Sequence, residues 1–425
     1  MAKVYIESYG CSLNQADSEA MAALLKKSEF EIVDSAEESD VIIVNSCTVK
    51  SPTEVKILRR LKELEKLNKP VVLAGCLPQA DPHNKKIQKY TRLGVFQIDN
   101  VVEVVEEALN GNTVVLLAKG DYNRLNIPHA RKNKVIDIIP ICQGCLGDPC
   151  SYCLVKKARG NLVSYKPEAI IKRVEASVKA GGKEIWLTAQ DTAAYGKDLG
   201  TTLPKLLEKI VKIPGEFYIR LGMGNPNHIL EFLPELIEIY KSQKMFKFIH
   251  IPIQAGSDEV LKAMKRKYTV RDFLLIVEQL RKNIKGLTIA TDIICGFPGE
   301  TSKQFKESVD LMKKIRPEIL NISRYWPRPG TEAAKLSGYN GTTTKKRSRE
   351  ISEVFKKFAF EQNSNWLGWQ GLVLIDEKGT ENSWLGRNLS YKQIAVLSED
   401  DLIGKKVHVK VFDITPYHLR AKFKY

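Results

Sequence analysis

Along the first 118 positions, apolar residues come in short unbroken runs separated by stretches of three- and four-residue spacing. KVYIESYG, DVIIVNS and PVVLAG are rich in Val and Ile and bounded by Gly, Pro or Asn, the pattern of buried parallel strands. Between them, SEAMAALLKKSEF and PTEVKILRRLKELEKL carry helical periodicity, so residues 1–118 predict a doubly wound parallel α/β sheet. Residues 119–136, basic and turn-forming, predict a linker. Over 137–362 the rhythm resumes, with candidate strands VIDIIPI, EIWLTAQ, FYIRLGM, FKFIHIPIQ, LTIATDII and ILNISRYW. The intervening PEAIIKRVEASVKAGG opens with Pro167 and ends on a glycine pair, and TSKQFKESVDLMKKI opens with a capping box from Thr301 to Gln304. Six βα units predict a partial (β/α)6 barrel, short of the eight needed for closure. Residues 331–362 read as helical and basic, and 363–425 alternate between turns, predicting a small C-terminal β-barrel.

Length and composition refine this picture. A chain of 425 residues, 43% apolar and 27% charged, predicts two to four globular domains. No apolar run approaches the ~18–20 residues that span a bilayer, and MAKVYIESYG lacks the apolar core of a signal peptide. The expectation is a cytoplasmic protein with no membrane partner, whose thiols stay reduced and bind metal or react more readily than they cross-link. The net charge of +16 fits either a solvated basic surface or a polyanionic partner. Its basic residues gather at Lys56–Lys62, Arg131–Lys134, Lys156–Arg159 and Lys345–Arg349.

Four of the eight cysteines, Cys142, Cys145, Cys150 and Cys153, fall in ICQGCLGDPCSYC; Cys11, Cys47, Cys76 and Cys295 are scattered. Cys11, Cys47 and Cys76 each sit just past a predicted strand of the first segment. Ligands of open parallel sheets bind beyond the carboxyl ends of strands, so these three thiols meet on one sheet edge. Any one alone reads as a buried inert cysteine; three at equivalent positions favour a three-thiolate metal or cluster site. In the dense stretch, the two C-x-x-C pairs lie four residues apart, closer than zinc ribbons place them, and the spacing also differs from electron-transfer ferredoxins. A third option uses three thiolates and leaves one iron open. Cys145, Cys150 and Cys153 follow the first barrel strand, at the face where barrel enzymes do chemistry.

At these residues the chain resembles the radical S-adenosylmethionine (SAM) enzymes, whose signature C-x-x-x-C-x-x-C has an aromatic before the last cysteine, here Tyr152. This loop is one residue longer, with Cys142 the competing first ligand; the flanking GC and SYC–ARG pattern favours Cys145. YGCSLNQADSE, VNSCTVKSPTE and LAGCLPQA are similar to the three cysteine motifs of the methylthiotransferases within that superfamily. GGKEIWLTAQDTAAYG, FIHIPIQAGSDEVLKAMKRKYT, GFPGET and RYWPRPGTEAA resemble the motifs of their barrel, and the last segment resembles their TRAM-like RNA-binding β-barrel. Ala255 and Trp326 stand where serine is frequent.

The resemblance implies two [4Fe–4S] clusters, one on Cys145, Cys150 and Cys153 that binds and cleaves SAM, one on Cys11, Cys47 and Cys76 that carries sulfur. It implies two SAM molecules per product, a one-electron reductant protein and a sulfur donor. Gly182 and Glu184 are expected at the methionyl amine, and Gln190, Arg220, Gln254 and Arg266 at or beyond strand ends as further cofactor contacts. Cys295 and His250 are expected to be core residues. Family members modify a tRNA adenosine carrying an isopentenyl or a threonylcarbamoyl group, or an aspartate of a ribosomal protein. The charge of +16 favours RNA, and KKARG with the compact N-terminus resembles the threonylcarbamoyladenosine line. Arg324 and Arg328, in SRYWPRPGT, are the expected partners of the threonylcarbamoyl carboxylate. A nucleic-acid-binding protein with purely structural metal is the alternative of another class.

Overall fold

The Val- and Ile-rich runs of the first segment become strands of a six-stranded, all-parallel sheet in the computed structural model, which describes residues 1–48, 51–120, 124–380 and 382–424. The strands are β1 (Lys3–Ser8), β2 (Glu31–Val33), β3 (Val41–Ser46), β4 (Val71–Gly75), β5 (Thr91–Gly94) and β6 (Val115–Leu116), in spatial order β2-β1-β3-β4-β5-β6. Of these β2, β5 and β6 are too short to register as apolar runs. Every residue of β3 and β4 is buried, as a sheet covered on both faces requires. Ile43 and Val72 pack on one face against Met21 and Leu25 of α1 (Ser12–Lys27) and Val105 of α4 (Val101–Leu109). Ile42, Val44 and Leu73 pack on the other against Ile57 and Leu61 of α2 (Ser51–Leu64). The strand order reverses between β1 and β3, and Cys11, Cys47 and Cys76 follow β1, β3 and β4. A short helix, α3 (Cys76–Ala80), starts on the third of them.

The central segment holds six parallel strands in two hydrogen-bonded sets. They are β7 (Ile136–Pro140), β10 (Glu184–Thr188) and β11 (Tyr218–Leu221), then β12 (Phe248–His250), β13 (Thr288–Cys295) and β14 (Ile319–Arg324). A bridge from Ile219 to Met245 joins the sets into one arc, the expected partial barrel. A two-stranded ribbon, β8 (Cys142–Gln143) with β9 (Val163–Ser164), flanks the cysteine loop and α5 (Val155–Arg159). The helix over Pro167–Lys179 has its proline in the first turn, and the Thr301–Gln304 capping box forms. A 24-residue helix, Gly341–Ser364, leads to the C-terminal unit. There β15 (Gln370–Lys378), β16 (Ser383–Arg387), β17 (Gln393–Leu397), β18 (Lys406–Ile414) and β19 (Leu419–Phe423) form a closed barrel.

The two flanking units hold opposite ends of the arc. At the carboxyl ends of the strands, the mouth, the Ser12 and Thr188 hydroxyls hydrogen-bond at 2.6 Å and Arg328 pairs with Glu54 at 2.5 Å. At the amino ends, the floor, the terminal barrel accepts hydrogen bonds through carbonyls of Asp376 (from Asn133, 2.8 Å), Leu389 (from Lys247 N, 2.7 Å) and Ser390 (from Thr288, 2.6 Å).

Residues 119–136 are no loose tether. Arg124 is buried, its Nε 2.5 Å from Asp17 of α1 and its Nη2 donating to the Val95 carbonyl at 3.0 Å. His129 lies between Glu19 and Asp137, at 2.9 and 3.2 Å. Two other expected surface cations also turn inward: Arg347 pairs with Glu300 at 2.7 Å, and Arg159 is 1% exposed.

Candidate functional site

The two thiol groups lie on either side of the junction between the N-terminal sheet and the mouth. Gly10, at φ +101°, brings the loop after β1 so close to Cys47 that an added Cβ would stand 2.6 Å from the Cys47 Cβ and 2.8 Å from its Sγ. Cys11 then caps α1, exposed, while Cys47 and Cys76 are buried. Asn14, one turn into α1, organises this edge. Its Nδ2 donates to the carbonyls of Tyr9 and Ser46, both at 2.9 Å, and its Oδ1 stands 3.4 Å from the Cys76 sulfur. The same Oδ1 accepts from Arg159 Nη2 at 2.5 Å, and Arg159 Nη1 pairs with Asp17 at 2.7 Å. Arg159 is the last residue of α5, six positions after Cys153, so the helix that follows the barrel's cysteine loop delivers its cation to the other thiol group. Burial raises the Cys76 thiol above its ordinary value, Arg159 opposes that shift and Cys11 adds to it.

On the barrel side, Cys145, Cys150 and Cys153 are half-exposed and sense one another. Burial, then Cys153, Asp191 and Cys150, push the Cys145 thiol upward; burial, then Cys150, push Cys153 up to about 11. Two donors already face these sulfurs: Arg266 Nη1 stands 2.9 Å from Cys150 and the Val155 N–H 3.4 Å from Cys153. Cys142 instead lies fully buried in the core, its Sγ 3.7 Å from the Asp191 carbonyl. Among the described residues, no three His, Cys, Asp or Glu side chains converge on a single metal ion. Each trio offers three soft thiols with cationic or N–H donors beside them. That donor set fits an iron–sulfur cluster.

Of the other expected residues, Gln190, Gln254 and Arg266 reach the mouth. Gln190 Oε1 accepts from the Gly144 N–H at 2.7 Å beside the cysteine loop. Gln254 takes a left-handed backbone (φ +75°) just beyond β12 and lines the mouth cavity. Gly182 and Glu184 do not reach it. Gly182 precedes β10 and Glu184 is its first residue, so both sit at the floor. Gly182 packs against Ser177 and Arg131, and Glu184 is fully buried beside Trp186, Asp376 and Arg387. Burial, then Asp376, raise the Glu184 carboxyl to about 8, and burial raises Asp376 to about 6. Arg220 is not beyond a strand end either. It lies within β11 with its guanidinium over the rings of Trp186 and Phe248, at 4.9 and 5.3 Å, filling the lumen.

Between mouth and floor the lumen holds a polar set that sequence reasoning missed. His250 Nε2 and Asn321 Nδ2 both meet Asp292 Oδ1, at 3.0 and 2.8 Å, so His250 belongs to the cavity wall and not to the core. Strand alternation is the signal that finds it. Phe248 and His250, Asp292 and Ile294, and Asn321 and Ser323 each share the inward face of their strand. Asp191 is the other missed residue. It accepts from Asn225 N (3.0 Å) and Nδ2 (2.7 Å) and pairs with His228 at 2.8 Å. Burial alone would raise its carboxyl, but His228 and Asn225 hold it below the ordinary range.

A cavity of about 380 Å³ opens above this set, lined by His250, Asp292, Asn321 and Gln254 from the barrel and Cys153 from its loop. Thr48, next to Cys47, closes it from the N-terminal domain, so the space lies between Cys153 and the residue that follows Cys47. Arg324 and Arg328 also line it. Arg324 is exposed; Arg328 is buried, with Nη1 committed to Glu54 and Nη2 without a hydrogen-bond partner among the described residues.

Residues 3–95 match the model of uncharacterized protein family UPF0004, and residues 139–312 that of the radical SAM superfamily. A probable threonylcarbamoyladenosine tRNA methylthiotransferase of Pyrococcus horikoshii is 46% identical, covering 93% of each chain. The threonylcarbamoyladenosine tRNA methylthiotransferases of Xenopus laevis and Homo sapiens are both 41% identical over 99% of this chain, and over 77% and 74% of their own. Among solved structures, the radical S-adenosylmethionine methyltransferase TsrM of Kitasatospora setae superposes with a TM-score of 0.58 at 15% identity, covering 79% of this chain and 77% of that one, a likeness of fold. No described helix is long and apolar enough to cross a membrane. With both thiol groups in place and identity sustained over nearly the whole length, the chain belongs to the threonylcarbamoyladenosine tRNA methylthiotransferase family and is an enzyme of the radical SAM superfamily.

Proposed function

We propose that this enzyme transfers a methylthio group to C2 of N6-threonylcarbamoyladenosine beside a tRNA anticodon, using two [4Fe–4S] clusters and two SAM molecules. The observation that carries the reading is the cavity lined by Cys153 of one thiol group and by Thr48, the residue after Cys47 of the other. Cys145, Cys150 and Cys153 would hold one cluster with an open iron for SAM, and Cys11, Cys47 and Cys76 the second. Bound there, the first cluster and SAM supply a 5′-deoxyadenosyl radical that activates a carbon–hydrogen bond.

The chain's own residues position the partners. Arg266 donates to the Cys150 sulfur and, through Nη2, to Asn225, which is held in turn by Asp191, so the mouth carries a fixed donor network around the cofactor. Gln254, His250 and Asn321 offer amide and ring nitrogens to a nucleoside in the cavity. Arg328 Nη2, buried and unpartnered, is the natural receiver of the threonylcarbamoyl carboxylate, and Arg324 at the rim is the second. An isopentenyl group has no charge to satisfy that nitrogen. The terminal barrel and the exposed Lys345, Lys346 and Arg349 would supply phosphate contacts.

Anaerobically reconstituted protein should hold about eight irons and eight sulfides. Incubated with SAM, reductant and an anticodon stem-loop carrying threonylcarbamoyladenosine, it should yield the methylthio nucleoside by mass spectrometry. Preferential turnover of the isopentenyl stem-loop would reject the substrate, and stoichiometric zinc without labile sulfide would reject the chemistry.

A further inference from the structure

A second opening reaches the barrel's cysteine loop, and nothing in the proposed reaction uses it. This cleft, about 780 Å³, lies between Phe96 and Lys119 of the N-terminal side and the loop's outer edge, and its floor includes Cys150 and Cys153. Its lining shares only Cys153 with the catalytic cavity. Cys153 is therefore approached from two directions, one through the catalytic cavity and one from open solvent.

The cleft is cationic. Lys119 and Lys157 are exposed on its walls and Lys156 is half-buried beside them. Lys156 and Lys157 donate to the carbonyls of Gly147 and Gly330, contacts that leave their charge uncompensated. Arg159 at the back is neutralised by Asp17, and Glu332, the one acid among the described lining residues, is paired with Lys265 at 2.6 Å. Two further acids adjoin the lining in sequence, Asp148 before Pro149, which is exposed, and Asp121 after Gly120. Three lysines thus ring the outer face of two thiols.

We infer that this cleft is the docking surface for an acidic one-electron carrier protein, which delivers its electron to the group held by Cys145, Cys150 and Cys153. The inference rests on the reading above that these thiols hold a cluster cleaving SAM reductively. Such cleavage needs one electron from outside, and electron transfer slows steeply with distance, so the carrier must come close without entering the cavity that SAM and the nucleoside fill. The cleft allows that approach, and its lysines select a negative partner and speed the encounter. In the step, the carrier is oxidised by one electron and the bound group reduced by one; no bond or proton moves. A tRNA phosphate backbone is the other polyanion that lysines attract, but it has no use for contact with the outer face of the thiols.

The test uses reconstituted full-length protein and a reduced acidic [2Fe–2S] ferredoxin as probe, following loss of cluster absorbance by stopped flow. The double change Lys119→Glu with Lys157→Glu should slow ferredoxin-driven reduction about tenfold and remove its salt dependence. Lys119→Gln with Lys157→Gln should fall between. Dithionite, which needs no docking, should reduce all three proteins alike. Equal ferredoxin rates in wild type and double variant would overturn the proposal. So would intact ferredoxin rates with weakened tRNA binding, which would assign the cleft to RNA. Absence of cluster absorbance, or its indifference to dithionite, would instead sink the cluster reading itself.

Discussion

The mouth and the floor of the central barrel are built from the same six strands and solve opposite problems. At the mouth, polar groups converge on space: Cys153, the His250–Asp292–Asn321 set and an unpartnered Arg328 nitrogen all face a cavity. At the floor, polar groups converge on each other: Glu184 meets Asp376 and Arg387 in full burial. The unpartnered Arg328 nitrogen at the mouth borders open space; unpartnered atoms at the floor, such as Glu184 Oε1, are closed off by the terminal barrel. A buried charge therefore signals chemistry only when its position along the strand is known.

Substitutions can break this comparison, and the largest effect is expected at the mouth. Cys150→Ala should reduce 5′-deoxyadenosine formation to background and leave the urea midpoint nearly unchanged. Changing Cys11, Cys47 and Cys76 together to Ala should keep SAM cleavage under dithionite yet give no methylthiolated product. Full transfer by that triple variant would refute a sulfur-carrying role.

Next comes Arg159, which joins the two thiol groups. Arg159→Ala leaves Asp17 with Arg124 as its remaining cation, so the loss should be roughly 3 kcal/mol, toward the lower end for breaking a buried pair. Urea unfolding reads it, and iron content should fall toward a single cluster. Arg159→Lys, which keeps charge without the two-pronged geometry, should recover part of both. A variant as stable and as iron-rich as wild type would remove Arg159 from the account.

The floor should respond to pH and not to SAM. Glu184 has a raised carboxyl, near 8, so its folded form holds a proton that the unfolded chain releases at about 4.5. Its contribution is complete below that unfolded value and fades as pH rises toward 8. Glu184→Gln should flatten that decline, gaining up to about 4 kcal/mol over wild type between pH 5 and 8.5, with dithionite-driven SAM cleavage unaltered. Parallel pH curves for the two proteins would dismiss the buried proton.

The smallest change is expected for Cys142→Ser. Cys142 lies in the core, outside the mouth, so iron content and SAM cleavage should both survive. Loss of one cluster in this variant would shift the ligand register of the long loop from Cys145 to Cys142.

The rhythm of strands and helices is legible in the sequence because apolar runs and caps are local signals, and three cysteines just past strands point by their spacing to one sheet edge. Direction along a strand is less legible. GGKEIW reads as a site motif, yet its glycines precede β10 and Glu184 opens the strand, and a parallel strand puts its first residue at the floor. The lumen set is hidden in apolar strands, where one histidine among isoleucines passes for core. Arg159 and Arg124 look like members of basic patches; only tertiary pairing with Asp17, more than a hundred positions away, shows that they are interior. Such partnerships leave no periodic trace.

Asp17 has a consequence for how the domains can be exchanged. It is 1% exposed in the N-terminal sheet unit, while both cations that neutralise it, Arg124 and Arg159, belong to the segment beyond residue 118. Cut out alone, the sheet unit would lose both of the cations that pair with this carboxylate. Spliced to a foreign barrel, it would need that barrel to present two arginines at matching positions. Recombination at the junction that looks most like a tether should thus carry a penalty, and the sheet and the barrel mouth should exchange best as one piece.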